Sequence, residues 1–273
     1  RLVIGPDHRW QVPGSALLIG GEPGIYPGTR ALLTALRDLG LRPALFTHGM
    51  WAQSRERLAR MCEAGLASLV VSIKAFDDDT AERLTGKRGV ATSQARAIDV
   101  LIAGHRDGLA QVTFNHVITR PTLESMAEPD WVEQLPQLPS LSLSLIEPYR
   151  ADMRPLVPEP ERLAATLPGI LERLAARGIP VTVDGAPACR LGAFAHQSRD
   201  LGRLDDDRIR INIKPRESAD YLLVYRGYQR LRQFARAPGC RGCVHEARCP
   251  GIHRRLLDWY GDAMVSPVSA APR

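Results

Sequence analysis

The stretch Ser15–Gly49, SALLIGGEPGIYPGTRALLTALRDLGLRPALFTHG, decides the fold. It opens on the apolar run Ala16 to Ile19, bounded by Pro13-Gly14 before and Gly20-Gly21 after, as a short buried strand should be. A helix is expected next. Thr29 can cap it, Leu32, Leu33, Leu36 and Leu39 share an apolar face, and Gly40 supplies a left-handed stop. Pro43 to Thr47 then reads as a second strand, ending at His48-Gly49. Strand, helix and strand in so short a span make a βαβ unit, whose two strands run parallel.

The alternation continues downstream. Ser54 to Ala64 reads as a helix, Leu69 to Ile73 as a strand, and Asp79 to Leu84 and Thr92 to Ala103 as helices. Val112 to Ile118 and Leu141 to Ile146 are further strands; helix Glu159 to Ala176, stopped by Gly178, leads to a last strand at Val181 to Val183. Such a series implies an α/β fold with a parallel sheet, open or curved into a barrel. Ligands bind such sheets at the carboxyl ends of the strands. From Gly185 the pattern gives way to irregular, Arg-rich, cysteine-bearing sequence, which divides the chain into residues 1–185 and 186–273.

Composition narrows the function classes. No run approaches the roughly 18 apolar residues of a membrane span and no signal-peptide pattern opens the chain, so a cytoplasmic protein with no membrane partner is expected. The net charge of +6 and pI near 9.3 raise nucleic acid as a partner. The basic residues are dispersed, however, with no basic stripe carrying interleaved aromatics, which argues against it. His8, His48, His105, His116, His196, His245 and His253 form no recognisable catalytic triad, so no acid, base or nucleophile can be named.

Four of the five cysteines lie in the last third of the chain; Cys62 sits alone on a predicted helix, as a core residue would. Cys240-Arg-Gly-Cys243 places two thiols on one tight turn, Cys249 follows on a short return ahead of Pro250-Gly251, where a helix is expected to begin, and Cys189 is the natural fourth ligand. Disulfides suit exported chains and are not expected. The spacing fits an iron–sulfur cluster, and it also fits a structural zinc held by the four cysteines or with His253 substituting for one.

These residues resemble the radical S-adenosylmethionine superfamily over roughly Ala16 to Pro267. Leu17-Leu18-Ile19-Gly20-Gly21-Glu22-Pro23 resembles the family's second-strand motif, in which Gly20, Gly21, Glu22 and Pro23 would hold the methionyl ammonium of S-adenosylmethionine. Bare glycines let backbone carbonyls approach a cation, and Glu22 adds acceptors. Phe46-Thr47-His48-Gly49 resembles the third-strand ending, with His for the usual Asn, and Val71 to Ala75 with Leu84-Thr85-Gly86 resembles the fourth strand and its helix. The resemblance nominates Ser72, Lys74 and Asn115 for the ribose and carboxylate. The region of Cys240, Cys243, Cys249, Tyr260-Gly261 and Pro267 is similar to the auxiliary-cluster region of SPASM and twitch-type members, which favours a single auxiliary [4Fe–4S] cluster over zinc.

The resemblance therefore implies a partial (β/α)6 TIM-like barrel followed by a small irregular or helical cysteine-bearing region. It further implies reductive cleavage of S-adenosylmethionine to a 5′-deoxyadenosyl radical, an electron donor such as flavodoxin or ferredoxin, and a peptide or small-molecule substrate. The family's Cys-x3-Cys-x2-Cys is absent from the 273 residues. Because the chain begins at Arg1 rather than Met, an upstream strand and loop carrying that motif and a second [4Fe–4S] cluster are expected. The first sheet strand would otherwise have only Leu2 to Ile4 to cover its edge. The alternatives are a degenerate, non-catalytic binding or scaffold protein and a zinc-stabilised α/β enzyme without S-adenosylmethionine.

Overall fold

A computed structural model describes residues 14–201, 209–213, 221–225 and 233–269; His8 and the Leu2 to Ile4 segment lie outside them. The expected alternation is present. Strands β1 (Ser15–Leu18), β2 (Arg42–Thr47), β3 (Ser68–Ile73), β4 (Gln111–Ile118), β5 (Leu141–Leu145) and β6 (Val181–Asp184) form one parallel sheet in sequence order. Helices α1 (Thr29–Asp38), α2 (Arg55–Glu63), α3 (Asp78–Thr85), α4 (Val90–Arg106), α5 (Arg120–Ala127) and α6 (Pro160–Ala176) fall between the strands. No helix among the described residues is long and apolar enough to cross a membrane.

The chain folds into two compact units. The first takes the chain to Val117 together with Glu133–Ser142 and Gly178–Pro180. Its register sorts the strand residues into two faces, because side chains alternate along each strand. Leu45, Leu69 and Val112 lie side by side, as do Thr47, Val71 and Phe114, all buried. On the opposite face Phe46, Val70 and Thr113 share one row, and Ser72 pairs with Asn115 in the next. Leu58 of α2 is fully buried against α4 at Gly104, where an added Cβ would come within 2.3 Å of its Cδ2.

Two capping details differ from expectation. Thr29 does not cap α1: Gly28 holds that position, and the Thr29 hydroxyl instead donates to the Pro23 carbonyl at 2.5 Å. Gly40 is left-handed as expected (φ 78°). Leu33 is buried, but Leu32 and Leu39 are exposed, so the apolar face of α1 is narrower than the leucine spacing suggests. Helix α5 has no counterpart in the apolar pattern. It is nucleated by a capping box in which Thr119 and Thr122 bond reciprocally, with Pro121 in the first turn.

The second unit comprises Ile118–Val132, Leu143–Arg177 and the chain from Val181. Within it Arg173 donates to the carbonyls of Met126, Glu128 and Pro129, satisfying acceptors at and beyond the end of α5. The C-terminal part is not only irregular. Strands β7 (Ile209–Ile213) and β8 (Tyr221–Tyr225) pair antiparallel, as do β9 (Phe234–Ala235) and β10 (Ile252–His253). The last helix, α7 (Arg254–Tyr260), starts beyond Pro250-Gly251, because Gly251 (φ 91°) is pressed against β9 and His253 supplies the cap.

His116 on β4 is fully enclosed; its Nδ1 lies 3.2 Å from the Ile73 carbonyl and its ring 5.3 Å from Phe76. Burial lowers its pKa to about 4. A histidine depressed below its unfolded value of about 6.5 contributes fully above that value, and the contribution is lost as pH falls toward 4, where only the unfolded chain takes the proton. Denaturant titrations should therefore show a loss of up to about 3 kcal/mol between pH 7 and 4 that a His116→Asn variant lacks. Parallel pH profiles for the two proteins would contradict this.

Candidate functional site

At the carboxyl end of β1 the chain turns through Gly20 (φ 111°) and Gly21 (φ 54°), conformations that favour glycine. A Cβ built on either would meet nothing within 4 Å, so the turn presents bare backbone to open space. Glu22 fixes the turn from behind. Its side chain is only 11 % exposed. Oε1 accepts from the Gly24 amide (2.9 Å) and the Thr47 hydroxyl (2.5 Å), and Oε2 accepts from the His48 amide (2.9 Å) and faces His48 Nδ1 (2.6 Å). Thr47 accepts in turn from the Gly49 amide and the buried Trp51 indole, and Gly24 lies flat on that indole, where a Cβ would sit 1.9 Å from Cδ1. Glu22 thus ties the end of β1 to the end of β2, with Pro23 buried beside it and starting a short 3-10 turn.

Ser72, near the end of β3, and Asn115, within β4, are brought together as register partners, both buried. Lys74, just beyond β3, is exposed. Gln94 of α4 was not legible as a site residue: its buried amide donates to the carbonyls of His48 (2.5 Å) and Ser72 (3.0 Å), holding the ends of β2 and β3 at a fixed spacing. Leu84-Thr85-Gly86 is accounted for locally. The Thr85 hydroxyl bonds back to Ala81, and Gly86 (φ 68°) ends α3.

Within the second unit Cys189, Cys240, Cys243 and Cys249 line one cavity, together with Arg236 and His245. The Cys240–Cys243 loop is a type II turn: Arg241 is extended (φ −62°, ψ 128°), Gly242 is left-handed (φ 78°), and the Cys243 amide returns to the Cys240 carbonyl at 3.2 Å. Gly242 also donates to Glu246, which pins the loop. Three sulfurs receive backbone N–H groups, from Ser266 to Cys189 (3.2 Å), Val268 to Cys243 (3.4 Å) and Gly251 to Cys249 (3.4 Å). Arg190 donates to the carbonyls of Ala263 and Val265, fastening the strap that brings Ser266 to Cys189.

Burial raises the thiols of Cys189, Cys240 and Cys249, and the neighbouring cysteines add to the rise. A cationic centre is what such a set needs to become thiolates. Among the described residues no three His, Cys, Asp or Glu side chains gather as around a single metal ion. The four cysteines share the lining of one cavity. His253 is not among the residues that line this cavity; its Nδ1 caps α7 through the Arg255 amide (3.2 Å) and its ring packs edge-on against Phe234. Cys62 stands apart on α2, its thiol pushed up to about 11 by burial.

No family model matches the sequence. In fold, the chain is similar to SuiB of Streptococcus suis solved bound to S-adenosylmethionine, with a TM-score of 0.54 at 14% identity over 94% of this chain. That match takes in 65% of SuiB, just under two thirds of its length. It is also similar to anSMEcpe solved with bound AdoMet and Kp18Cys peptide, with a TM-score of 0.58 at 13% identity over 93% of this chain and 79% of that one. The chain shares the α/β fold of these structures. The likeness includes the parallel sheet with its helices, and at this identity it concerns the fold and not the individual site residues.

Proposed function

We propose that this chain belongs to a radical S-adenosylmethionine enzyme acting on a peptide, and that it carries one auxiliary [4Fe–4S] cluster on Cys189, Cys240, Cys243 and Cys249. The observation that carries the reading is the meeting of Cys189 with the distant Cys240–Cys249 loop around one cavity, in a chain of this fold. The bare Gly20-Gly21 turn is a cradle that a side chain would fill, and its carbonyls suit an ammonium group. Glu22 has its acceptors engaged by Gly24, Thr47 and His48, so it holds the turn in shape, with Pro23, while Ser72, Asn115 and Lys74 supply donors for ribose and carboxylate. When bound with a reduced cluster, S-adenosylmethionine supplies a 5′-deoxyadenosyl radical for hydrogen abstraction. A peptide substrate is supported by the peptide named with anSMEcpe.

Radical generation needs three further thiolates. These 273 residues hold five cysteines and no Cys-x3-Cys-x2-Cys, so the thiolates of a catalytic cluster, which a flavodoxin- or ferredoxin-type donor would reduce, are not among them. The same observation favours the second reading for these residues taken alone: a protein that binds S-adenosylmethionine without cleaving it.

Gly21→Val tests the turn. The added Cβ would meet no atom within 4 Å; the side chain would occupy the open space and strain a left-handed position. Equilibrium dialysis should show S-adenosylmethionine affinity falling about tenfold or more with iron content unchanged. Unchanged affinity would place the site elsewhere.

A further inference from the structure

A groove of about 370 Å³, open to solvent, runs between the segment from Gly24 to Arg30 and the segment from Trp51 to Met61 of the first unit. Its lining contains three arginines, Arg30 of α1 and Arg57 and Arg60 of α2, and no aspartate or glutamate. Arg57 and Arg60 are three positions apart and so share one helix face. Neither Arg30 nor Arg57 forms an ion pair among the described residues. Trp51 lines the groove with them, and Ile25 and Tyr26, also in the lining, are 67 % and 65 % exposed.

Three guanidinium groups around one concavity repel one another and concentrate anions there. Arginine forks bind carboxylates bidentately. Large apolar side chains left exposed beside them gain by being covered, and arginine with aromatic residues is the composition of binding hot spots. A single-stranded nucleic acid would call for a row of aromatic platforms, and Tyr26 is the one exposed ring of this lining. We propose that this groove docks an acidic segment of a partner polypeptide, with carboxylates on Arg30, Arg57 and Arg60 and an apolar side chain against Ile25 and Tyr26. The inference rests on the groove alone and stands or falls separately from S-adenosylmethionine chemistry.

Fluorescence anisotropy of the whole chain with a fluorescein-labelled peptide of alternating Glu and Leu tests it. The peptide should bind at low salt, weaken steeply with added salt, and bind about tenfold or more weakly to Arg57→Glu/Arg60→Glu. Ile25→Ser should weaken binding while leaving its salt dependence unchanged. Circular dichroism and iron content should match the parent in both variants, since these side chains reach solvent. The proposal is overturned if the Glu-Leu peptide does not bind, if its Gln-for-Glu counterpart binds equally, or if the charge-reversed variant binds as the parent does. Tighter binding of a labelled single-stranded RNA would overturn it in favour of nucleic acid. Full competition by stoichiometric inorganic phosphate would do so in favour of a small-anion site.

Discussion

Cys243→Ala should leave the reconstituted protein without its iron–sulfur cluster, losing the broad absorption near about 400 nm and the accompanying iron and sulfide. Cys243 closes the type II turn that aims two of the four sulfurs, and its sulfur also receives the Val268 amide. Removing it deletes a ligand and loosens the strap whose other sulfur contact is Ser266 to Cys189. The effect should exceed the roughly 10- to 100-fold that loss of an outer-shell partner costs a metal site. Arg190→Ala, which frees the strap and keeps every thiol, should fall within that smaller range. If Cys243→Ala retained full iron and an unchanged spectrum, the four-cysteine ligand set would be wrong.

Glu22→Ala should both destabilise the first unit and weaken S-adenosylmethionine binding. The carboxylate receives two backbone amides and the Thr47 hydroxyl and pairs with His48, so truncation leaves the Gly24 and His48 amides and the Thr47 hydroxyl to find water. Hydrogen bonds to an ionised group contribute about 1.5 to 3 kcal/mol each; with water entering at the partly exposed His48, a net loss of about 3 kcal/mol is expected. Because this bracket fixes the residue that follows Gly20 and Gly21, binding should fall about tenfold or more as well. Glu22→Gln keeps the shape and should recover part of the stability, while turning an amide NH2 toward one set of donors. Urea titration and equilibrium dialysis read the two effects separately. A Glu22→Ala protein equal to the parent in both would remove Glu22 from the account.

The six sheet strands were legible because each is a short stretch rich in apolar residues, continuous or alternating, most of them flanked by glycine or proline; every expected strand is present, with ends shifted by no more than a residue. What escaped lacks that signature. Helix α5 is set by the Thr119 and Thr122 capping box and not by an apolar stripe, and Gln94 looks like any surface polar residue of a helix until its two backbone partners are seen. Glu22 stands out by its motif, but its work differs from what the motif suggests. The sequence could not reveal that Thr47 and His48 engage its acceptors, because these contacts join two strand ends some 25 residues apart in the chain. Thr29 matches the statistics of a helix cap, yet its hydroxyl lies nearer the Pro23 carbonyl, and that tertiary bond prevails. The cysteine loop was legible from spacing; that Cys189, about fifty residues earlier in the chain, lines the same cavity is visible only in the fold.

The most direct test of the central claim is metal analysis with Mössbauer spectroscopy on the chain reconstituted anaerobically with iron and sulfide. One [4Fe–4S] cluster per chain should appear, about four irons and four sulfides with negligible zinc, from the four thiols of the cavity. About one zinc per chain, with no cluster signal after reconstitution, would contradict it.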